Sequence, residues 1–212
     1  MIFLLSTALA AQTSFPCAAP LASARRSTAP LQALLGMDES CRNSAWHDTM
    51  GVLLESQGLL FSAQVHFGHC AASRDHLLDQ CLAKLSRTAQ ATGEPSMLRL
   101  HLKGAGPELF RPEARDHLLL EAGQLALGEQ DLRRAAHLLK QVRPGSPSHP
   151  QARTLRAEAL LQLGLRGEAE RAWVEVLATA VSPWAERARL GLAGLALRRG
   201  EREGVLSLKL RV

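Results

Sequence analysis

The chain has 212 residues, of which 46% are hydrophobic, 21% charged and 4% aromatic, and it carries a formal net charge of +5. That is the composition of an ordinary soluble globular chain, rich in the helix formers Ala, Leu, Glu, Gln and Arg. It argues against nucleic-acid binding, which needs a contiguous basic face with stacking aromatics: Tyr is absent, and the five Phe and three Trp fall mostly at core-type positions. Only four of the 25 basic residues are lysine, an arginine bias that fits a GC-rich bacterial coding sequence better than a binding signal.

In chain order, residues 1–11 read MIFLLSTALAA, an apolar run that ends small-x-small at Ala8, Leu9 and Ala10. It reads either as the end of a secretory signal peptide or as a small buried helix; no Lys or Arg stands before Arg25 to form a basic leading region. The run is too short to span a bilayer, which takes roughly 20 apolar residues. Ser14, Phe15 and Pro16 before Cys17 do not resemble a bacterial lipoprotein cleavage box. Residues 12–38 form an irregular or helical N-terminal segment.

From residue 39 a helical period takes over. In the stretch 45–71, Trp46, Met50, Gly51, Leu54, Gly58, Ala63, Phe67 and Cys70 mark two helices joined by a tight turn. Gly51 and Ala63 allow close approach, Gly58 supplies a left-handed turn conformation, and Trp46, Leu54 and Phe67 fill the gaps. Residues 76–110 form a degenerate second unit: Leu77, Leu78, Cys81, Leu82 and Leu85 make one stripe, Gly93 stops it, Pro95 opens another helix, and Gly104, Gly106 and Pro107 end the unit. Gly123, Ala135, Leu139 and Val142 repeat the first pattern up to Pro147, and Ala157, Leu160, Gly164, Ala169, Trp173 and Val176 repeat it up to Pro183. Leu190, Ala193, Gly200 and Val205 form a partial copy, and the alternating residues 206–212 are read as a frayed closing helix in preference to a lone strand.

These small and large residues, recurring at about 34 to 36 positions, resemble the signature of the tetratricopeptide repeat (TPR) family. The resemblance implies an all-α fold: a right-handed superhelical solenoid of about five TPR-like hairpins over residues 39–212, stable because stacked neighbours share one core. It also implies a protein-binding module rather than an enzyme, with the first helix of each hairpin lining a concave groove. Matched unit by unit, the groove positions are Asp48, Val52 and Glu55, then Leu120 and Gln124, then Thr154, Glu158 and Gln162, and finally Arg187, Leu190 and Arg198. Their mixed signs lack the run of basic side chains with which some TPR domains grip a C-terminal carboxylate.

The four cysteines form an even set, which an oxidising compartment would pair. The preferred pairing is Cys17 with Cys41, tying the N-terminal segment to the first repeat, and Cys70 with Cys81, stapling neighbouring helices; the alternative leaves Cys70 as a small core residue. His66, His69, Cys70, His76 and Cys81 cluster in sequence without zinc-site spacing, so no metal is expected. No catalytic motif is present: GxSxG, the phosphate-binding GxxxxGK[ST] and a strand-borne GxGxxG are all missing. The expectation is an adaptor or scaffold, without cofactor or transmembrane segment, that binds a protein or peptide partner in the bacterial envelope. The alternatives are a self-associating solenoid without a peptide groove and a cytoplasmic location.

Overall fold

A computed structural model describes residues 17–179 and 183–198. The segment 1–11 and the alternating residues 206–212 lie outside them. Among the described residues the chain is all-helical, with no strand. Helices α1 (Ala18–Arg26) and α2 (Pro30–Leu35) precede the repeats. Four hairpins follow: α3 (Ser44–Ser56) with α4 (Leu60–Ala72), α5 (Leu78–Thr92) with α6 (Ser96–Leu102), α7 (Arg115–Gly128) with α8 (Leu132–Lys140), and α9 (His149–Gln162) with α10 (Arg166–Thr179). Helix α11 (Trp184–Arg198) packs on α10 as the first helix of a fifth.

Local chemistry sets the helix ends. The side-chain oxygens of Asn43 and Asp131 accept from the backbone N–H groups of Trp46 and Arg134, capping α3 and α8. Gly58 and Gly164 make the tight turns of the first and fourth hairpins at φ +76° and +80°, a region that side chains with a Cβ enter at a cost.

The hairpins close where a small residue faces a large one. A Cβ on Gly51 would stand 2.5 Å from the ring of Phe67, and one on Gly123 would stand 2.6 Å from Leu139. Sixteen residues separate the two members in both hairpins (67 − 51 and 139 − 123), and Ala157 stands sixteen before Trp173 in the fourth. Ala63, Ala135 and Ala169, each four residues before the large member, are all fully buried. Between hairpins the crossing is reused: a Cβ on Gly191 of α11 would lie 2.4 Å from the Trp173 indole.

The second hairpin departs from the others. Its helix α6 has seven residues, beginning just after Pro95, and the chain then runs through a 3-10 turn at Pro107–Leu109 before α7. Ala105, Phe110 and Ala114 of this connection are buried in the large core.

One large core runs from Leu21 to Leu155, and a second, smaller one surrounds Trp173. Ala126, Ala135 and Ala159 form a small alanine contact of their own. At the N-terminus the Trp46 indole N–H donates to the Leu34 carbonyl at 3.0 Å, fastening α2 to α3. Disulfides join Cys17 to Cys41 and Cys70 to Cys81, with Cα–Cα separations of 5.4 and 5.9 Å. The first ties α1 to the turn before α3, and the second staples α4 to α5. No helix among the described residues is long and apolar enough to cross a membrane.

Candidate functional site

Several of the expected groove positions are spent on holding hairpins together. Asp48 is buried, and its carboxylate accepts from Lys84 Nζ at 2.6 Å and from Gln80 Nε2 at 3.1 Å, joining α3 to α5. Glu55 takes both Nε and Nη2 of Arg87 at 2.8 and 2.6 Å, and Glu158 does the same for Arg187 at 2.5 and 2.8 Å, joining α9 to α11. Gln124 accepts from Arg99 of α6, which also donates to buried Glu121. Thr154 is fully buried, and its hydroxyl donates to the Pro150 carbonyl one turn back, so it does not line a groove. Gln162, Arg198, Val52 and Leu190 are exposed.

Burial corrects the groove assignment at Asp48, Leu120 and Thr154, none of which offers its side chain to the surface. Matching to repeat positions assigns a side chain to the first helix of a hairpin but does not say which neighbour reaches it. A signal for the pairs does exist: acid and base lie about one repeat apart, at 36 residues for Asp48 and Lys84, 32 for Glu55 and Arg87 and 29 for Glu158 and Arg187. Asp79 with Arg111, 32 apart, and Asp116 with Arg143, 27 apart, continue the series. The hydrogen bond from Arg111 holds the Asp79 carboxyl below the usual carboxylate range, and the bonds that Arg187 donates to Glu158 raise its guanidinium.

Among the described residues a concave surface runs along α5, the start of α7 and the turn before α9. Two adjoining hollows of about 310 and 450 Å³ share Gln90 and Glu113. Lys84, Arg87 and Arg111 line the smaller and Arg143 the larger. Arg87, Arg111 and Arg143 are 60, 40 and 63% exposed at their side chains, and a guanidinium has five N–H donors, so each retains donors beyond those given to its acid. The surface offers hydrogen-bond donors along its length. At its edge His117 meets the Ser86 hydroxyl at 2.7 Å and Glu121 at 3.7 Å, but Ser86 is fully buried and out of reach of a bound molecule.

Histidines gather on the first hairpin. His47 of α3 meets His66 of α4 with Nδ1 to Nδ1 at 3.1 Å, and His69 lies against His47 with ring centroids 4.9 Å apart. Burial, then the neighbouring His69 and His66, push His47 down to about 4, and burial with His69 also lowers His66. The sequence cluster missed His47, which is 19 residues before His66 but directly across the hairpin. Its other members separate: Cys70 and Cys81 are bonded to each other, and His76 borders a different hollow, beside α1. Asp48, Cys70 and Cys81 come together as potential ligands, yet both sulfurs are consumed by the disulfide.

No protein-family model and no curated protein sequence matches the chain. Solved structures do. The crystal structure of MamA is 16% identical with a TM-score of 0.53, covering 75% of this chain and 90% of that one. The nearly identical TPR-like repeats of a Podosopora anserina kinesin light chain are 20% identical with a TM-score of 0.45, covering 76% and 89%. The fold is that of a TPR-like helical-repeat protein.

Proposed function

We propose that the chain is a protein-interaction scaffold, not an enzyme, that receives an extended segment of a partner protein in the arginine-lined hollows between α5 and the start of α9. The observation that carries this reading is the continuity of the two hollows through Gln90 and Glu113 with exposed arginines along both. A repeat solenoid buries its apolar faces in its own stack and offers the remaining surface for recognition. The proposal includes export to an oxidising compartment, the bacterial envelope. It is supported by the pairing of all four cysteines and by the signal-like residues 1–11.

The test places a photo-crosslinking residue at Gln90 and, as a control, at Arg198, in cells that make the protein. Crosslinks to one partner from position 90 are expected. Reversing charge with Arg111→Glu and Arg143→Glu should weaken capture by about 1–2 kcal/mol each, as for central interface residues, with the helical circular-dichroism spectrum kept. Unchanged capture by the double variant would remove the hollows from the account. Equal capture through position 198 alone would move the site to α11.

A further inference from the structure

The geometry points to a binding site for a divalent first-row transition ion on His47 and His66, with His69 as a third imidazole. This site is on the first hairpin and is independent of the groove reading, which concerns α5, α7 and the turn before α9.

The δ nitrogens of His47 and His66 face each other across the hairpin. In a contact between neutral imidazoles one Nδ1 donates and the other accepts, and the 3.1 Å separation is that of a hydrogen bond. It is also the separation of two ligands on one metal. At metal–nitrogen distances of about 2.0–2.1 Å, cis nitrogens stand about 2.9 Å apart at a right angle and about 3.3 Å apart at the tetrahedral angle. An ion replacing the shared proton therefore keeps the nitrogen separation within a few tenths of an ångström, but it sits off the line between them, so each ring turns by about 40° to aim its lone pair at the metal. The proton balance is simple: the donor ring carries its proton on Nε2 instead, both imidazoles remain neutral, and no net proton leaves.

The surroundings hold the pair in place. Trp46 stands edge-on to both rings, at 4.9 Å from His47 and 5.5 Å from His66, and is itself pinned by its bond to Leu34. His66 and His47 are half-buried, so their rotamers are confined. His69 follows His66 by three residues on α4, is exposed, and lies against the His47 ring. As they stand the nitrogens of the three rings do not converge on one point, so His47 and His66 form the core of the site and His69, exposed beside them, is the added ligand that the experiment below tests.

The chemistry of the donors selects the ion. Imidazole nitrogen suits Cu²⁺, Ni²⁺ and Zn²⁺, whereas Mg²⁺ and Ca²⁺ require oxygen ligands. Arg42, whose guanidinium lies 5.6 Å over the Trp46 ring, disfavours positive charge at His47 and so opposes a cation held by charge alone. Binding must come from the nitrogen lone pairs, which places Cu²⁺ first in affinity. Two or three imidazoles leave coordination positions for water or for a donor from a partner.

The experiment titrates Cu²⁺ and Zn²⁺ into untagged full-length protein, reading stoichiometry by calorimetry and the copper ligands by electron paramagnetic resonance. One ion per chain is expected, with hyperfine coupling to at least two imidazole nitrogens. His66→Gln and His47→Gln should each weaken binding by more than the roughly 10–100-fold that loss of a supporting partner costs. His69→Gln should weaken it less, and His137→Gln, on the exposed face of α8, should leave it unchanged. If the half-buried variants lose their fold, paramagnetic broadening in the unaltered protein serves instead: His47 and His66 resonances must disappear first. Stoichiometric uptake that survives both glutamine variants, broadening centred elsewhere, or no stoichiometric uptake would overturn the site.

Discussion

Trp173→Ala is expected to cost about 3–5 kcal/mol in urea unfolding, the range for truncating a fully buried aromatic. The indole is 2% exposed, carries the smaller of the two large cores, and is pressed by Gly191 from the next hairpin. Its Nε1–H is buried without a hydrogen-bond partner, so Trp173→Phe removes an unsatisfied donor along with some volume and should cost much less than Ala. The loss should also be local. In a solenoid each repeat is stabilised by its neighbours, and the core around Trp173 is separate from the one that runs from Leu21 to Leu155. Hydrogen exchange should therefore quicken in α9 to α11 while α3 and α4, tied by disulfides on either side, remain protected. Uniform acceleration along the whole chain would show that the two cores melt as one.

Lys84→Met should be comparably severe, at about 3–5 kcal/mol, because it strands a buried carboxylate. Side-chain exposures at this pair are 17% for Lys84 and 7% for Asp48, against 60% for Arg87 in the neighbouring pair. With the ammonium gone, Asp48 retains one neutral donor, Gln80, in a site walled by the Cys70–Cys81 disulfide. Apolar replacement of both partners, Asp48→Leu with Lys84→Met, should recover most of the loss, since a buried pair and a well-packed hydrophobic substitute are often close in stability. Arg87→Met, at the exposed pair with Glu55, should cost no more than about 1 kcal/mol. Equal effects at positions 84 and 87 would mean that water reaches Asp48.

Much of the fold is legible in the sequence because a helix crossing places strict demands on size. Gly51 before Phe67 and Gly123 before Leu139 stand at one spacing since each must admit the same ring or branched side chain from the facing helix. Gly191 is harder to read: it meets Trp173 of the preceding hairpin, a contact between repeats rather than within one. The ion pairs are harder still. Asp48 and Glu158 sit where the repeat signature places groove residues, and only the stacking of α5 on α3 and of α11 on α9 brings Lys84 and Arg187 to them. The same holds for His47, whose partner His66 is invisible to a search for ligands close in sequence because the Gly58 turn folds it back. The hairpin stack is thus legible as an architecture, whereas which first-helix side chains stay exposed depends on how successive hairpins are set against one another.

The most direct test of the repeat packing is a double-mutant cycle on Gly51→Ala and Phe67→Leu. Alanine gains about 1 kcal/mol of helix propensity over glycine, so a crossing that did not exist would make Gly51→Ala neutral or stabilising. With a Cβ placed 2.5 Å from the Phe67 ring, the single change should instead destabilise by about 1–3 kcal/mol. Shortening the ring to leucine makes room, so the double variant should lose less than the sum of the two, with a coupling of about 0.5–3 kcal/mol. Additivity within about 0.5 kcal/mol, with Gly51→Ala no less stable than the unaltered chain, would contradict the stacked-hairpin structure.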